Sequence, residues 1–414
     1  MRKLLPIGVV CLLVSCAKTN QSVNPVQDAK QKETCTFGIE SFNLAKRETL
    51  SPEAARKPRN NHGGGGGGGG TPTYPTTPTY PTTPTYPTTP TYPTTPTYPT
   101  TGGGVILLDF DGNVVSNTSW NFSGDFYCAP ANMTTDEMAR VYERVSNDYS
   151  PFNMTVTLEE SVYNAAPINK RTRVVITETW EWFGQAGGTS FVGTFTEGSN
   201  TPCFVFSSLL SYNSKNVGEA ASHEAGHTLG LLHQSNYSNC SLISEYHSGF
   251  GYGETSWAPI MGNSYAQNLS LWHNGTSTSC SSTQDDLAKI AAITGYRPDD
   301  YVNGTSGAAM LSTALNGQLN SSNDEDFFAL NLSTTRTVSL TPACAGPNNS
   351  GANADMVLRV YNSLGGLIAT VNDPSVLNAV TTLPAGNYYV SAGSAANSYA
   401  GVYGMLGGYT ISVN

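Results

Sequence analysis

The sequence contains few charged residues and lacks a strongly basic region. Charged side chains make up only 12% of the 414 residues, and the formal net charge is -10. No dense run of Lys or Arg occurs in the C-terminal two-thirds of the chain. Because a protein that neutralises nucleic-acid phosphates needs a basic patch, this composition argues against a nucleic-acid partner. The abundance of Gly, Ser, Thr, Asn and Tyr favours an exported protein instead.

The N-terminus has no apolar stretch long enough to cross a bilayer. Residues 4–14 are apolar but too short for a span, and they follow a basic start at residues 1–3. The stretch ends in residues 13–16, Leu-Val-Ser-Cys, which resemble the lipobox of bacterial lipoproteins. We therefore expect residues 1–16 to be a lipoprotein signal peptide and Cys16 to anchor the chain in the bacterial envelope, at the outer membrane or cell surface. An ordinary signal peptide is the alternative, and it would release the chain.

The cysteines include no CxxC pair, so a cysteine-based zinc site is not expected. Two of the eight cysteines fall at or before residue 16, and the even number that remains is compatible with disulfides in an exported chain. The spacing alone does not decide the pairing. We favour Cys128–Cys203 and Cys240–Cys280 because all four lie inside one candidate domain.

Low-complexity sequence separates the N-terminus from the folded part of the chain. Residues 17–62 are polar with little periodicity, which predicts a mostly disordered leader or a short pro-segment. Residues 63–104 form a linker of glycines and five copies of Thr-Pro-Thr-Tyr-Pro-Thr. Proline at this density fixes φ and removes backbone donors, so the repeats predict a polyproline II spacer of roughly 90 Å. A repeat without function is the alternative.

The remaining sequence predicts an α+β fold with two domains. Residues 105–300 contain apolar strand patterns at 105–110, 154–160, 171–179 and 203–208. Helices are predicted at 134–149, at 217–230 and at 283–294, where the start signals are Thr134 with Glu137, Asn216 with Glu219, and Thr283. This order indicates a mixed sheet with helices packed against it. Residues 305–414 show short alternating runs without a helical period, which predicts an all-β sandwich.

Histidine is scarce, yet three of the six histidines fall within one short segment. On a helix, His223 and His227 project from the same face, one turn apart, so both imidazoles can reach one Zn²⁺. Glu224 lies beside the first of these ligands. Gly230 allows the chain to leave the helix, and the turn can then return His233 as a third ligand. A chance motif on a core helix is the alternative, but it would not require the glycine or the third histidine.

The segment from His223 to His233 reads HExxHxxGxxH, the signature of metzincin metalloproteases, and this chain resembles that family. The likeness is nearest to bacterial reprolysin-like members and covers about 190 residues. The family has a methionine turn beneath its zinc, and Met261 in Trp-Ala-Pro-Ile-Met-Gly resembles it. Some members place a tyrosine two residues after this methionine to bind the transition state. Asn263 stands there in this chain, so a tyrosine role, assigned to nearby Tyr265, is in doubt.

The resemblance implies a zinc endopeptidase that hydrolyses extracellular proteins or peptides. It assigns one catalytic Zn²⁺ to His223, His227 and His233, and makes Glu224 the base that assists attack by a zinc-bound water. The alternative is a surface adhesin or glycan-binding lipoprotein whose protease fold is inert.

The last domain is similar to the bacterial pre-peptidase C-terminal domain, whose members are accessory or binding modules. The resemblance is moderate and includes an acidic turn before an aromatic-bearing strand. The acidic turn in this chain, residues 323–326, offers oxygen ligands for Ca²⁺, although a solvated turn is the favoured interpretation.

Overall fold

The computed structural model describes the backbone of residues 34–37 and describes residues 103–345 and 351–414 in full. The predicted signal peptide, Cys16, most of the leader and the repeat linker lie outside these ranges. Residues 103–345 and 351–414 belong to one compact unit. Within the described ranges, no helix has the length and apolar character needed to cross a membrane. The described chain is mixed α+β.

A six-stranded mixed sheet forms the first half of the structure. The first eight strands are β1 (Thr34–Phe37), β2 (Gly104–Asp109), β3 (Asn113–Val115), β4 (Phe126–Cys128), β5 (Met154–Thr157), β6 (Arg171–Thr177), β7 (Gly188–Phe191) and β8 (Cys203–Phe206). The sheet order is β1-β7-β8-β6-β2-β5, while β3 and β4 pair separately as a hairpin. β5, β2, β6 and β8 run parallel, and β7 runs antiparallel to β8. All four predicted strand segments are confirmed.

Four helices accompany this sheet. They are α1 (Thr135–Asp148), α2 (Glu160–Ala165), α3 (Ser214–Thr228) and α4 (Asp286–Thr294), with short 3-10 turns at Ile168–Lys170 and Thr194–Thr196. The predicted capping box of α1 is confirmed, because Thr134 accepts the backbone N–H of Glu137 and Glu137 accepts that of Thr134. These reciprocal bonds satisfy donors that the first helical turn leaves open.

The predicted starts of the other two long helices are wrong by a few residues. Helix α3 is capped by Asn213, whose side chain accepts the backbone N–H of Asn216 at 3.1 Å, so the predicted cap at Asn216 is instead inside the helix. Helix α4 is capped by Asp285 rather than Thr283, which lies in a strand. Helix α4 ends at Gly295, whose φ is +75°. At both helix starts, the side chain of the Asn or Asp directly before the first helical residue accepts a backbone N–H that the first turn leaves unpaired.

The main hydrophobic core lies between one face of the sheet and helices α1 and α3. It contains strand residues Val174, Ile176 and Val205 and helix residues Val141, Val145, Ala220, Ala221 and Ala225. The small alanines let α3 approach the sheet closely. The opposite face carries an aromatic cluster that includes Trp120, Phe204 and Phe206.

Three two-stranded ribbons connect α3 to α4. They are β9 (Asn236–Ser238) with β10 (Ser241–Ser244), β11 (Trp257–Pro259) with β12 (Leu269–Leu271), and β13 (Asn274–Thr276) with β14 (Thr283–Asp285). The predicted disulfide Cys240–Cys280 is confirmed, and it joins the β9–β10 ribbon to the loop between β13 and β14. It thereby restrains the segment that follows the histidine motif.

The predicted disulfide Cys128–Cys203 is wrong, because both cysteines are free and buried. Cys203 opens β8 and faces the main core, where its thiol lies 3.7 Å from the Arg173 carbonyl oxygen. Cys128 belongs to the aromatic cluster on the other face of the sheet. Side chains at neighbouring positions of a strand point to opposite faces of the sheet. Cys203 points to the face of the main core and Cys128 packs at the other face, so the sheet lies between the two sulfurs.

The C-terminal residues form two sheets around one shared core. The strands are β15 (Ala309–Met310), β16 (Ala314–Leu319), β17 (Asp326–Leu332), β18 (Arg336–Pro342), β19 (Met356–Asn362), β20 (Leu367–Val371), β21 (Ala379–Leu383), β22 (Gly386–Ser394) and β23 (Gly407–Val413). One sheet has the order β15-β17-β22-β19-β20 and the other β16-β23-β18-β21. Phe328 and Leu358 of the first sheet share a core with Leu340 and Ile411 of the second. This is the layered β arrangement that the alternating pattern predicts.

The leader contains one element that its sequence pattern did not predict. Residues Thr34–Phe37 form β1, which pairs antiparallel with β7 so that Phe37 is opposite Gly188. The prediction of a mostly disordered leader or a short pro-segment stays a prediction, because the other leader residues lie outside the described ranges. At the edge of the sheet, β7 provides β1 with backbone N–H and C=O groups for hydrogen bonding. Short-range sequence patterns do not reveal this pairing.

Candidate metal centre

Helix α3 places two histidines side by side in the interior. His223 and His227 are both fully buried, and their Nε2 atoms are 3.0 Å apart. The four-residue spacing puts the two rings on one helical face, as predicted. The first half of the centre is thus fixed by local helix geometry.

Gly230 ends the helix and redirects the chain toward the same point. Its φ is +86°, in the left-handed region that favours glycine. Gly230 donates to the carbonyl oxygen of His227 at 2.8 Å, and Leu231 donates to that of Gly226 at 3.1 Å. These are the two bonds of a Schellman motif, which closes the last turn. The chain then brings His233 back, with its Nε2 atom 3.2 Å from that of His227.

The partner of the Nδ1 atom in each ring fixes the tautomer, and the tautomer determines whether Nε2 can bind a cation. The Nδ1 atom of His223 lies 2.8 Å from the Ile260 carbonyl oxygen, and that of His227 lies 2.7 Å from the Leu231 carbonyl oxygen. Because a carbonyl oxygen only accepts, each Nδ1 must carry the proton, which leaves each Nε2 with a lone pair. The third ring follows the same pattern, with the His233 Nδ1 atom 2.8 Å from a carboxylate oxygen of Glu245.

Three lone pairs therefore converge, with the Nε2 atom of His227 3.0 Å from that of His223 and 3.2 Å from that of His233. Such an arrangement is repulsive unless a cation lies between the nitrogens. An ion with ligand distances of about 2.0–2.1 Å, the usual value for Zn²⁺ and imidazole, fits this separation. Among the residues that the structure describes, three candidate ligands converge in this cluster, and three protein ligands are typical of catalytic zinc sites.

The surroundings keep these imidazoles neutral. Burial lowers the pKa of His223 well below its ordinary value, and the neighbouring histidines lower it further. The pKa of His227 is lowered well below its ordinary value for the same reasons, burial first and His233 second. Neutral imidazole is the form that binds a metal ion, so the site is prepared for one at neutral pH.

Met261 lies in a tight turn directly beneath the helix. Gly262 donates to the carbonyl oxygen of Pro259 at 2.9 Å, which closes a four-residue turn around Met261. A side-chain Cβ at Gly226 would lie 2.7 Å from the sulfur of Met261, so the methionine packs against the helix between the first two ligands. The backbone oxygen of Met261 also accepts from Gln234 at 2.7 Å, next to the third ligand. Met261 therefore lies in a tight turn against the motif helix, and its assignment to the methionine turn stays a prediction.

Glu224 is fully buried between α3 and strand β7. A Cβ at Gly188 would lie 2.7 Å from both the Cγ and an Oε atom of Glu224, so this carboxylate packs directly against the backbone of β7. Glycine at position 188 is therefore required for the observed position of Glu224. Gly188 was not predicted as a site residue. The adjacent glycines Gly187 and Gly188 were nevertheless a signal for close approach of the backbone.

Tyr265 and Tyr246 both lie near the centre, and only Tyr265 was predicted from the sequence. Tyr265 is buried, and its pKa is raised well above the ordinary value by burial first and then by the Glu224 carboxylate. Tyr246, which was missed, has its ring centroid 4.4 Å from that of His233 and 6.3 Å from that of His223. No spacing rule relates Tyr246 to the motif, so only the tertiary structure reveals it.

The segment that carries His233 is held by a second set of polar contacts. Gln234 donates to the buried carboxylate of Asp286 at 3.0 Å, and Gln284 donates to the same oxygen at 2.9 Å. Asp286 also accepts the backbone N–H of His273 at 2.9 Å. Burial raises the pKa of Asp286 to about 7, while these donors oppose the rise. Helix α4 thus fixes the chain next to the third ligand.

The candidate calcium region lies away from the histidines. Oxygen atoms of Asp299, Asp300 and Asp326 lie within 4.8 Å of one another. Asp326 is fully buried, and one of its carboxylate oxygens accepts from the Tyr409 hydroxyl at 2.5 Å. Burial raises the pKa of Asp326 to about 8. The cluster joins residues before the β-sandwich to its strand β17. The favoured interpretation of residues 323–326 as a solvated turn is wrong for Asp324 and Asp326, because both are buried, and Ca²⁺ binding stays an untested alternative.

Comparison with known proteins gives limited information. No family model matches the sequence, and no curated protein matches it. Among solved structures, the pre-peptidase C-terminal domain of a collagenase from Bacillus anthracis is similar at 16% identity, covering 28% of this chain and 98% of that chain, with a TM-score of 0.19. The periplasmic g-type lysozyme inhibitor PliG of Aeromonas hydrophila is similar at 14% identity, covering 27% of this chain and 93% of that chain, with a TM-score of 0.18.

Proposed function

We propose that this protein is a zinc-dependent endopeptidase of the metzincin type. The observation that supports this most strongly is the convergence of three Nε2 atoms, with that of His227 3.0 and 3.2 Å from the other two, while every Nδ1 atom has a partner that accepts a hydrogen bond. Structural histidines buried in a core have no need for three lone pairs that face one another. A catalytic zinc site with three imidazole ligands does.

The family assignment is supported by elements that lie in one place in the fold. The HExxHxxGxxH residues, the glycine turn and Met261 in its tight turn all surround the same point. Local backbone geometry explains each of these features separately. Helix geometry alone does not explain why all of them lie around one point. An inert adhesin of the same fold would not require Glu224 to be retained.

The chemistry of the proposed reaction follows from these residues. When bound, Zn²⁺ would polarise both a water molecule and the scissile carbonyl. Glu224 takes the proton of the attacking water and transfers it to the leaving amine. Strand β7 keeps the Glu224 carboxylate in position through Gly188, because no side chain separates the two. The three Nδ1 partners hold the imidazole rings in one orientation and one tautomer.

The location of the protein is part of the same proposal. Lipidation of Cys16, followed by the repeat linker, would hold the catalytic centre away from the envelope, where extracellular proteins or peptides are accessible. The signal and linker residues that support this proposal lie outside the described ranges. Labelling of the chain with a radioactive or alkyne-bearing fatty acid, compared with Cys16→Ala, tests it directly.

Metal content and hydrolysis test the proposed activity together. The purified full chain should contain one zinc per molecule and should cleave a denatured protein in a chelator-sensitive manner. Glu224→Ala should retain the zinc and lose nearly all hydrolysis, while the exposed control Glu181→Ala should behave as the parent does. A protein with bound zinc that cleaves neither a denatured protein nor a peptide library would support the inert-adhesin alternative. Cleavage by Glu224→Ala at the parent rate would show that the mechanism is wrong.

A further inference from the structure

A buried polar network connects the motif helix to the C-terminal β-sandwich. Its members are at most 6% exposed. They comprise Arg144, Asn147 and Asp148 of α1, Glu219 and Ser222 of α3, Ser270 of β12, and Asn353 in the segment before β19. The network lies on the side of α3 that carries Glu219 and Ser222, three residues apart and therefore on one face of the helix.

Asn353 reaches the helix by a first route through Asp148. The amide nitrogen of Asn353 donates to one carboxylate oxygen of Asp148 at 2.8 Å. The other oxygen of Asp148 accepts the hydroxyl of Ser222. Ser222 directly precedes His223, so this route ends one residue from the first metal ligand.

A second route from Asn353 reaches the same helix one turn earlier. The same amide nitrogen donates to the backbone oxygen of Ser270 at 2.5 Å, and the Ser270 hydroxyl donates to Glu219 at 2.6 Å. Glu219 also pairs with Arg144 at 2.7 Å and with Lys215 at 3.1 Å, so its charge is compensated. The two routes hold successive turns of α3.

Asn353 is itself fixed by the β-sandwich and by α1. Its side-chain oxygen accepts the amide of Asn147, and Asn147 in turn accepts the backbone N–H of Gly408 in β23 at 2.7 Å. The backbone around Asn353 joins the sheet region as well, because Ser270 donates to the Ala352 oxygen at 3.2 Å. The polar groups of Asn353 are therefore occupied on both sides.

We infer that Asn353 is a positioning residue for the candidate metal centre, and that the β-sandwich supports the motif helix rather than forming a separable accessory module. The inference rests on the proposed zinc site. Removal of the Asn353 amide would leave Asp148, Ser270 and Asn147 with unsatisfied groups in a dry environment, which is costly. The least costly adjustment is a shift of α3, and such a shift moves His223 and His227, which both lie in that helix, relative to His233.

Zinc affinity of the full chain tests this inference. Asn353→Ala should weaken zinc binding by about 10-fold or more, the lower end of the effect seen for groups that orient metal ligands. Ser222→Ala, a change that a helix accepts readily, should weaken it in the same direction. The control Asn331→Ala, an exposed asparagine on β17 of the same sandwich, should leave the affinity unchanged. Binding is measured by competition with a chromogenic chelator, well below the unfolding temperature.

A double-mutant cycle distinguishes positioning from a general loss of stability. If Asn353 acts through Asp148 and Ser222, the two substitutions together should weaken zinc binding by less than the product of their separate effects. The visible spectrum of the Co²⁺-substituted chain should change in Asn353→Ala and not in Asn331→Ala. Effects on zinc affinity that multiply independently, with an unchanged Co²⁺ spectrum, would overturn the inference.

The outcomes also separate this inference from the proposed function. If Asn353→Ala does not fold, Ser222→Ala carries the test alone, and an affinity within twofold of the parent contradicts the inference. If the parent binds zinc and both variants bind it equally well, only the positioning role fails. If the parent binds no zinc at all, the proposed function is wrong, and this inference, which rests on it, is wrong as well.

Discussion

The imidazole of His233 and the carboxylate of Glu245 are joined by a 2.8 Å contact between Nδ1 and Oε1. Glu245 is twelve residues downstream of His233 and lies after the β9–β10 ribbon. A carboxylate on the far nitrogen of a ligating imidazole fixes the ring and increases its basicity. Unlike His223 and His227, which donate to backbone oxygens, the third ligand depends on a side chain that can be changed.

Glu245 therefore offers a test of the ligand set that leaves the ligands themselves intact. Glu245→Ala should lower zinc affinity by about 10- to 100-fold, because His233 loses both its orientation and part of its basicity. Glu245→Gln, which keeps an acceptor oxygen, should lose less. Chelator competition measures both values, with the exposed Glu181→Gln as the matched control. Equal affinities in all four proteins would show that His233 does not bind the metal.

Gly188 separates the position of Glu224 from the binding of zinc. Gly188→Ala places a Cβ 2.7 Å from Glu224 and 2.7 Å from the Phe204 carbonyl oxygen, so the carboxylate must move. We expect hydrolysis to fall at least about 100-fold, as for a misplaced general base, while bound zinc persists. The control Gly304→Ala has no atom within 4 Å of the added carbon. Full activity in Gly188→Ala would contradict the assigned position of the base.

The leader strand predicts that residues 17–62 restrain the proposed peptidase activity. β1 pairs with β7, the strand that packs against Glu224, and Phe37 lies opposite Gly188. Deletion of residues 17–62 should therefore raise kcat/KM toward a peptide substrate. Deletion of the Thr-Pro-Tyr repeats at 71–100, which leaves the leader in place, should not. A leader-free chain with the parent kcat/KM would contradict the pro-segment interpretation.

The disulfide Cys240–Cys280 encloses the loop that contains Glu245 and Met261. A crosslink that closes a loop across 40 residues stabilises the folded state by about 2–4 kcal/mol. The Cys240→Ser and Cys280→Ser double variant should lose about that much unfolding free energy in a denaturant titration. Cys344→Ser, at a free cysteine, should lose much less. Unchanged stability of the parent in the presence of a reductant would indicate that the bond does not form.

Asp326 gives the β-sandwich a pH dependence of known sign. Burial raises its pKa from 3.8 to about 8, so the folded state holds this proton more tightly than the unfolded state does. Its contribution is favourable at low pH and is lost as the pH rises from about 4 through about 8. With a chelator present, Asp326→Asn should stabilise the protein by at least about 1 kcal/mol at pH 8 and have little effect at pH 4. Thermal unfolding at both pH values checks this, and destabilisation at pH 8 would reverse the assigned sign.

The parts of the site that the sequence predicted correctly are all close together along the chain. His223 and His227 share a helix face through their spacing, and Gly230 marks the turn that returns His233. Helix periodicity and the conformational preference of glycine act over a few residues, so they can be recognised without a structure. Met261 is more distant, and it was found through the family resemblance rather than through geometry.

The parts that the sequence did not predict depend on which strands and loops become neighbours. Gly188 meets Glu224 only because β7 crosses α3, and Asn353 meets Asp148 although the two lie 205 residues apart. The wrong disulfide has the same origin, since Cys128 and Cys203 share a domain but lie on opposite faces of its sheet. No local pattern contains this information.

By itself, the sequence determined the cluster of three histidines, the carboxylate beside it and the alternation of strands and helices, because these follow from helix spacing, turn chemistry and side-chain alternation within short segments. Only the tertiary structure decided which groups orient the imidazoles, which strand lies against Glu224, and how the β-sandwich reaches the motif helix. Those contacts join residues that are distant in the chain, and burial makes each of them depend on the packing of the whole core.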